Sequence, residues 1–350
     1  MEFGKKMSLR EKVGQLFVVR PESLEPAIRY DSDAELPPYR LQAVSEGMRR
    51  RAADYPVGGV LLYGHNIDAP AQLKDFVRDL KALPGAPMLC IDEEGGRVSR
   101  IAGNPAFDVP RYESAAAMAA AGPEATYEAA RAIGGYLKRY GFDIDFAPVA
   151  DVNTNPKNII IGTRAFSDDP KRAAPLVAAF VRGLQDAGVT ACLKHFPGHG
   201  DTLADTHLGY AFTRKTWRQM AACEMVSFRE GIRAGARLVM AAHIAAPAVT
   251  GSDMPSTLSP AILTEKLRGE LGFDGAVITD ALEMGAITRQ YGSGEAAVRA
   301  LQAGADLLLC PLDLCAAFDA VAGAVQAGIL PEQRLDESIR RLSLIRSRKD

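Results

Sequence analysis

The sequence predicts an α/β fold, a parallel (β/α)8 TIM barrel in a single domain, and three observations lead there. Short apolar runs rich in β-branched residues recur along the chain, each ending in polar or glycine residues. Each is followed by an Ala-rich segment of helical period. No Pro/Ser/Gly-rich linker divides the 350 residues, so one domain spanning 1–350 is expected.

The strand candidates, in order, are Gln15–Val19, Gly58–Tyr63, Met88–Ile91, Asp143–Pro148, Ala191–Lys194, Leu238–His243, Ala276–Thr279 and Asp306–Cys310. About eight is the number that closes a barrel. Between the last of them the helices carry punctuation: Ser259-Pro260 reads as an N-cap with proline in the first turn, and Gly272 ends the segment 261–271. An open doubly wound sheet is the competing architecture. It loses because no G-x-G-x-x-G follows the first strand.

Two connections, Pro21–Tyr39 and Asn153–Pro170, are too long to be simple links. Both leave C-terminal strand ends, where barrel enzymes build their sites.

Composition narrows the function. Apolar residues at 47% and charged residues at 24% are ordinary for a folded enzyme. The 41 basic and 43 acidic residues leave a net charge of −2, which gives no footprint for nucleic acid or an anionic membrane and favours a small or neutral substrate. Five cysteines without C-x-x-C spacing argue against a disulfide framework or structural zinc, and Cys90, Cys192 and Cys310 sit in apolar runs as small hydrophobes. The N-terminal MEFGKKMSLREKVGQL lacks a secretory apolar segment, and no run reaches membrane-spanning length, so a cytoplasmic enzyme is expected. Nothing in the sequence specifies an oligomeric state.

At the strand ends the chain offers Asp92 with Arg97 and Arg100, then Asp151, then Lys194 and His195, then His243, then Asp280 with Glu283. Barrel topology gathers these at one mouth. The stretch KHFPGHGDTLADTHLGY, starting at Lys194, holds three of the five histidines together with Asp201 and Asp205. With IDEEGGRVSR (91–100), IGTRAFSDDP (161–170) and VITDALEM (277–284), in this order and spacing, it resembles glycoside hydrolase family 3, specifically the single-domain bacterial β-N-acetylglucosaminidases of peptidoglycan recycling.

The resemblance implies a catalytic nucleophile at Asp280, a general acid/base at His207 oriented by Asp205, and sugar-binding positions at Asp92, Arg100, Arg164, Lys194 and His195. No cofactor is expected, and no metal, because the spacing of the loop's His and Asp residues matches no standard zinc pattern. Glu93 stands where Gln is frequent in the family and Thr206 where Ser is common, and Glu93 is expected to add a negative charge beside Asp92.

The residue types suit the chemistry. A retaining glycosidase needs a carboxylate to attack the anomeric carbon, and a cation such as Lys194 would help keep Asp280 ionised. An imidazole titrates near neutrality, and a neighbouring carboxylate fixes its tautomer; Asp205 and His207 share a side if their segment is extended. Gly198 and Gly200 are expected to let the loop move. Other readings are a metal set from His195, His199, Asp201 and His207, a Schiff base on Lys194, phosphorolysis with the same residues, and β-glucosidase or β-xylosidase activity. His199 and Asp201 are expected to hold the loop in shape, and His65 and His243 to be hydrogen-bonded strand-end residues.

Overall fold

Strands whose two faces are both covered should be mainly apolar, and the barrel strands of this chain are, with Asp145, Thr190, Lys194, His195 and Thr279 as the polar exceptions. In the computed structural model, which describes residues 7–28, 40–205 and 210–347, the strands are β1 (Phe17–Val19), β2 (Gly59–Leu62), β3 (Met88–Ile91), β4 (Ile144–Asp145), β5 (Thr190–Phe196), β6 (Leu203–Asp205), β7 (Tyr210–Phe212), β8 (Leu238–Ala241), β9 (Ala276–Thr279) and β10 (Leu308–Leu309). Eight of them lie parallel in the order β10-β1-β2-β3-β4-β5-β8-β9. The ring closes where Ile278 bridges Leu307 and the Thr279 N–H donates to the Leu307 carbonyl at 3.0 Å. Helices follow the strands, among them Pro70–Lys81 after β2, Gly122–Arg139 after β3 and Pro170–Asp186 after β4. The expected (β/α)8 barrel is the observed fold.

Five of the eight barrel strands are shorter than the apolar runs that mark them, β3 and β9 match theirs, and β5 extends beyond its run at both ends. Gln15 ends a helix, Leu9–Gln15, which a capping box starts: the Ser8 hydroxyl accepts from the Glu11 N–H and the Glu11 carboxylate from the Ser8 N–H. The fourth run pairs only at Ile144 and Asp145, because Pro148 has no N–H for a ladder; its carbonyl still accepts from the Lys194 N–H. The 261–270 segment is helical as expected, but it winds with wider π-type turns, and Gly272 ends it at φ 70°. It is the Ser259 carbonyl, accepting from Ile262 and Leu263, that engages its first turn.

The hairpin β6–β7 has no counterpart among the expected elements. It rises from the connection after β5, with Leu203 opposite Phe212 and Asp205 opposite Tyr210. Ala245, beyond β8, holds β7 through hydrogen bonds with Ala211 and Thr213. At the other end of the barrel, Asp306 before β10 is fully buried and receives Arg268, Arg334, Arg341 and Ser338, which fastens the helices of residues 261–270 and 332–346 to the closing strand.

Candidate active site

The C-terminal ends of the strands surround a cavity of about 260 Å³, and its lining includes Asp92, Arg100, Arg164, Lys194, His195 and Asp280. Every expected site residue other than Asp205 and His207 therefore meets at one place. Asp92 follows β3, Lys194 and His195 belong to β5, Asp280 follows β9, and Arg164 ends a short 3-10 turn in the long connection after β4.

Glu94, absent from the expected set, sits at the centre of the charge network. Its carboxylate takes a two-pronged contact from Arg164 (Nε 2.8 Å, Nη2 2.7 Å), and one of its oxygens lies 2.6 Å from the Lys194 ammonium. Lys194 also donates to Asp92 at 2.7 Å, and Arg100 stands 3.6 Å from the same carboxylate. Burial alone would push Glu94 up, but Lys194 and Arg164 hold its pKa at about 2. Lys194 is buried, which works against its charge, yet Asp92 and Glu94 raise its pKa above the usual range. An ammonium kept charged between two carboxylates is poorly suited to serve as a Schiff-base nucleophile, which requires the free amine.

Asp280 is partly exposed. Burial opposes its charge, and His243, His195, the Ala281 N–H at 2.8 Å and lastly Lys194 together bring its pKa below the ordinary value. Lys194 thus favours the ionised form of Asp280, as expected, alongside these other groups. His243 is buried, donates from Nε2 to the Ala281 carbonyl and meets the Thr257 hydroxyl at 2.9 Å, as expected of a strand-end histidine.

Glu93 does not stand beside Asp92 in the site. Consecutive side chains of an extended segment point to opposite sides, and Glu93 turns inward. There it accepts from the backbone N–H groups of Arg100, Ile101 and Ala102 and from the Tyr136 hydroxyl. The same alternation puts Glu94 on the side of Asp92, and that spacing of two is the signal from which Glu94 was legible. Arg97 leaves the site as well, donating to the Ile159 and Ile160 carbonyls. Glu283 pairs with Arg20.

The loop after β5 is fixed at its start. Asp151, buried at the end of the fourth strand run, accepts from His195 Nδ1 at 2.7 Å and from the His199 N–H at 2.5 Å. Thr202 contacts His199 Nδ1 at 2.7 Å, and Asp201 accepts from the Thr154 hydroxyl and faces Lys215. Gly200 serves close approach here, since a Cβ would fall 1.9 Å from the Val152 carbonyl oxygen, and one at Gly198 would meet the Glu224 side chain. These two glycines thus have a packing role at the start of the loop. Asp205 ends β6 in extended backbone, and the expected acid/base His207 lies outside the described residues.

The model of the glycosyl hydrolase family 3 N-terminal domain matches residues 8–345. The chain belongs to glycosyl hydrolase family 3. A β-hexosaminidase of Thiobacillus denitrificans is 39% identical over 267 residues, which are 75% of this chain and 73% of that protein. A family 3 β-N-acetylglucosaminidase from Paenibacillus sp. superposes with a TM-score of 0.86 at 37% identity, over 98% of this chain but 63% of its own. A family 3 glycosyl hydrolase from Mycobacterium smegmatis superposes with a TM-score of 0.80 at 32% identity, over 97% of both chains. Family 3 membership accounts for the order of the four motifs along the chain. It does not by itself assign a role to any side chain in the cavity.

Proposed function

We propose that this family 3 barrel is a retaining β-N-acetylglucosaminidase that removes a terminal, non-reducing β-linked GlcNAc from GlcNAc-anhydroMurNAc or GlcNAc-MurNAc fragments in peptidoglycan recycling. The observation that carries the reading is Asp280: a carboxylate favoured in its ionised form on the wall of a cavity whose other polar lining, including Asp92, Arg100, Arg164, Lys194 and His195, can hydrogen-bond neutral hydroxyls. The relatives named β-hexosaminidase and β-N-acetylglucosaminidase support the acetamido sugar as the glycone.

In this reading Asp92, Arg100, Arg164, Lys194 and His195 grip the sugar ring. Asp280 attacks the anomeric carbon as the glycosidic C–O bond breaks, and His207, oriented by Asp205, gives its proton to the leaving oxygen. A water then attacks the anomeric carbon of the glycosyl-Asp280 intermediate and returns a proton to His207, which frees both the sugar and the carboxylate. One barrel supplies all of these groups, so residues 1–350 act as one catalytic unit. Its five cysteines are free thiols, as suits a reducing cytoplasm, and among the described residues no helix is long and apolar enough to cross a membrane.

Charge favours water over phosphate as acceptor. Among the lining residues Asp92, Glu94 and Asp280 balance Arg100, Arg164 and Lys194, and Lys194 and Arg164 are already engaged by carboxylates. The test is release of chromophore from aryl β-glycosides with and without inorganic phosphate. The N-acetylglucosaminide should turn over at least about tenfold better than the glucoside or xyloside, because a site that pairs with the acetamido group rejects sugars lacking it. The product should be free GlcNAc at a rate indifferent to phosphate; formation of GlcNAc-1-phosphate, or preference for the glucoside, overturns the assignment.

A further inference from the structure

Asp151 belongs to none of the roles above, yet beside the cavity its carboxylate accepts three hydrogen bonds. It is 1% exposed, and its two oxygens face different halves of the site. Oδ2 accepts from the His195 ring at Nδ1 (2.7 Å) and from the His195 N–H (3.2 Å). Oδ1 accepts from the His199 N–H, the start of the loop that leads into β6 and Asp205. The two imidazoles lie edge to face, 5.8 Å apart.

The first arm fixes a tautomer. With its proton on Nδ1, His195 presents a lone pair at Nε2, which faces Arg164 Nη2 at 3.4 Å and lies on the cavity side. The second arm fixes backbone. His199 is held through its N–H by Asp151 and through its carbonyl by Asn158 Nδ2 at 2.7 Å, while Asn155 Nδ2 holds the Thr202 carbonyl at 3.2 Å. The path from the connection after β4 to the strand that bears Asp205 is therefore a short run of satisfied hydrogen bonds.

We propose that Asp151 is a positioning residue with two separable functions, orienting the sugar-facing nitrogen of His195 through one oxygen and seating the acid/base loop at His199 through the other. This rests on the reading of Asp205 and His207 as the proton shuttle.

The two arms respond differently to substitution. In Asp151→Asn the single carbonyl oxygen should stay on the His199 N–H, at 2.5 Å the nearer of the two backbone donors, and give up the His195 N–H at 3.2 Å. The amide NH2 then faces His195 Nδ1, which must accept, so the imidazole proton moves to Nε2 and opposes the Arg164 N–H. Asp151→Ala removes both arms.

Wild type, Asp151→Asn, Asp151→Ala and His207→Ala are compared on dinitrophenyl and phenyl β-N-acetylglucosaminides. Dinitrophenolate leaves without a proton, whereas the phenyl leaving oxygen needs one. The ratio of kcat/KM between the two substrates does not depend on the folded fraction of a preparation. His207→Ala should lose about a hundredfold more on the phenyl substrate than on the dinitrophenyl one. Asp151→Ala should shift that ratio in the same direction by about tenfold, with KM raised as well. Asp151→Asn should leave the ratio at the wild-type value, raise KM on both substrates and exchange the His195 ring nitrogen signals in NMR of labelled histidine.

If His207→Ala is selective and Asp151→Ala is not, the seating function is wrong. An Asp151→Asn enzyme with wild-type KM and wild-type His195 nitrogen signals overturns the orienting function. An unselective His207→Ala refutes the proton-shuttle assignment itself, and the seating function with it.

Discussion

Two buried ionic clusters stand at opposite ends of this barrel, and they are built from the same residue types for different ends. At the bottom, one carboxylate, Asp306, receives Arg268, Arg334, Arg341, the Ser338 hydroxyl and the Val277 N–H. At the mouth, Asp92, Glu94 and Asp280 share Lys194, Arg164 and Arg100 around open space. Burial opposes the charge of Asp306, and the three guanidinium groups more than offset it, so its pKa falls. Asp280 is also held low, yet among the described residues its side chain accepts a hydrogen bond from the Ala281 N–H alone. A cluster whose acceptors are filled from within fastens the fold; one that leaves an ionised oxygen facing a cavity is prepared for a reacting atom.

Matched substitutions at the two ends break this comparison if it is wrong. Asp280→Asn should lower kcat on an aryl β-N-acetylglucosaminide by at least about 10³-fold and change stability by less than about 1 kcal/mol. Asp306→Asn should do the reverse. It leaves three partly buried guanidinium groups around a fully buried position without its anion and should cost roughly 3–5 kcal/mol in urea unfolding, with kcat per folded molecule close to wild type. A stable Asp306→Asn protein, or a turnover-competent Asp280→Asn protein, would remove the distinction.

Acid titration sharpens the contrast within the mouth. The folded pKa of Glu94, about 2, lies below its ordinary 4.5. The stability contributed by its ionised form is therefore fully present above about 4.5 and is lost as pH falls toward 2. Glu94→Gln should lower stability at neutral pH by up to roughly 3 kcal/mol and flatten the decline of the urea midpoint across that acid window. An unchanged slope would mean that Lys194 and Arg164 do not hold this carboxylate.

How much of this was legible beforehand depends on how local each feature is. The eight apolar runs read directly as barrel strands, because a strand covered on both faces has no polar side to disguise it. Asp92, Lys194, His195 and Asp280 were legible as charged residues at the ends of such runs. The hairpin β6–β7 was not, since Leu203–Asp205 and Tyr210–Phe212 are three residues each and are stabilised by pairing with each other and by Ala245, a partner far along the chain. The packing role of Gly200 was equally hidden: the Val152 carbonyl it accommodates comes from a different connection. Glu94 was within reach, because period-two alternation from Asp92 marks it and excludes Glu93.

That last distinction sets up the smallest expected effect. Glu93 accepts four hydrogen bonds, from the N–H groups of Arg100 and Ile101 on one oxygen and from the Ala102 N–H and the Tyr136 hydroxyl on the other. A glutamine can keep the first pair and donate to Tyr136, but its NH2 then faces the Ala102 N–H, donor against donor. Against this loss stands burial, which raises the Glu93 pKa above its ordinary 4.5 and which an uncharged amide avoids. The two effects oppose each other, so Glu93→Gln should cost about 1 kcal/mol at neutral pH. A raised carboxyl pKa means that ionised Glu93 costs stability above its usual range. The wild type should therefore gain on the variant as pH falls toward 4.5, and the deficit should widen there. Turnover should stay within about threefold of wild type, because the Glu93 side chain faces the backbone of residues 100–102 and lies outside the cavity lining. A tenfold loss in kcat/KM without a matching loss of stability would place the Glu93 charge in the site beside Asp92.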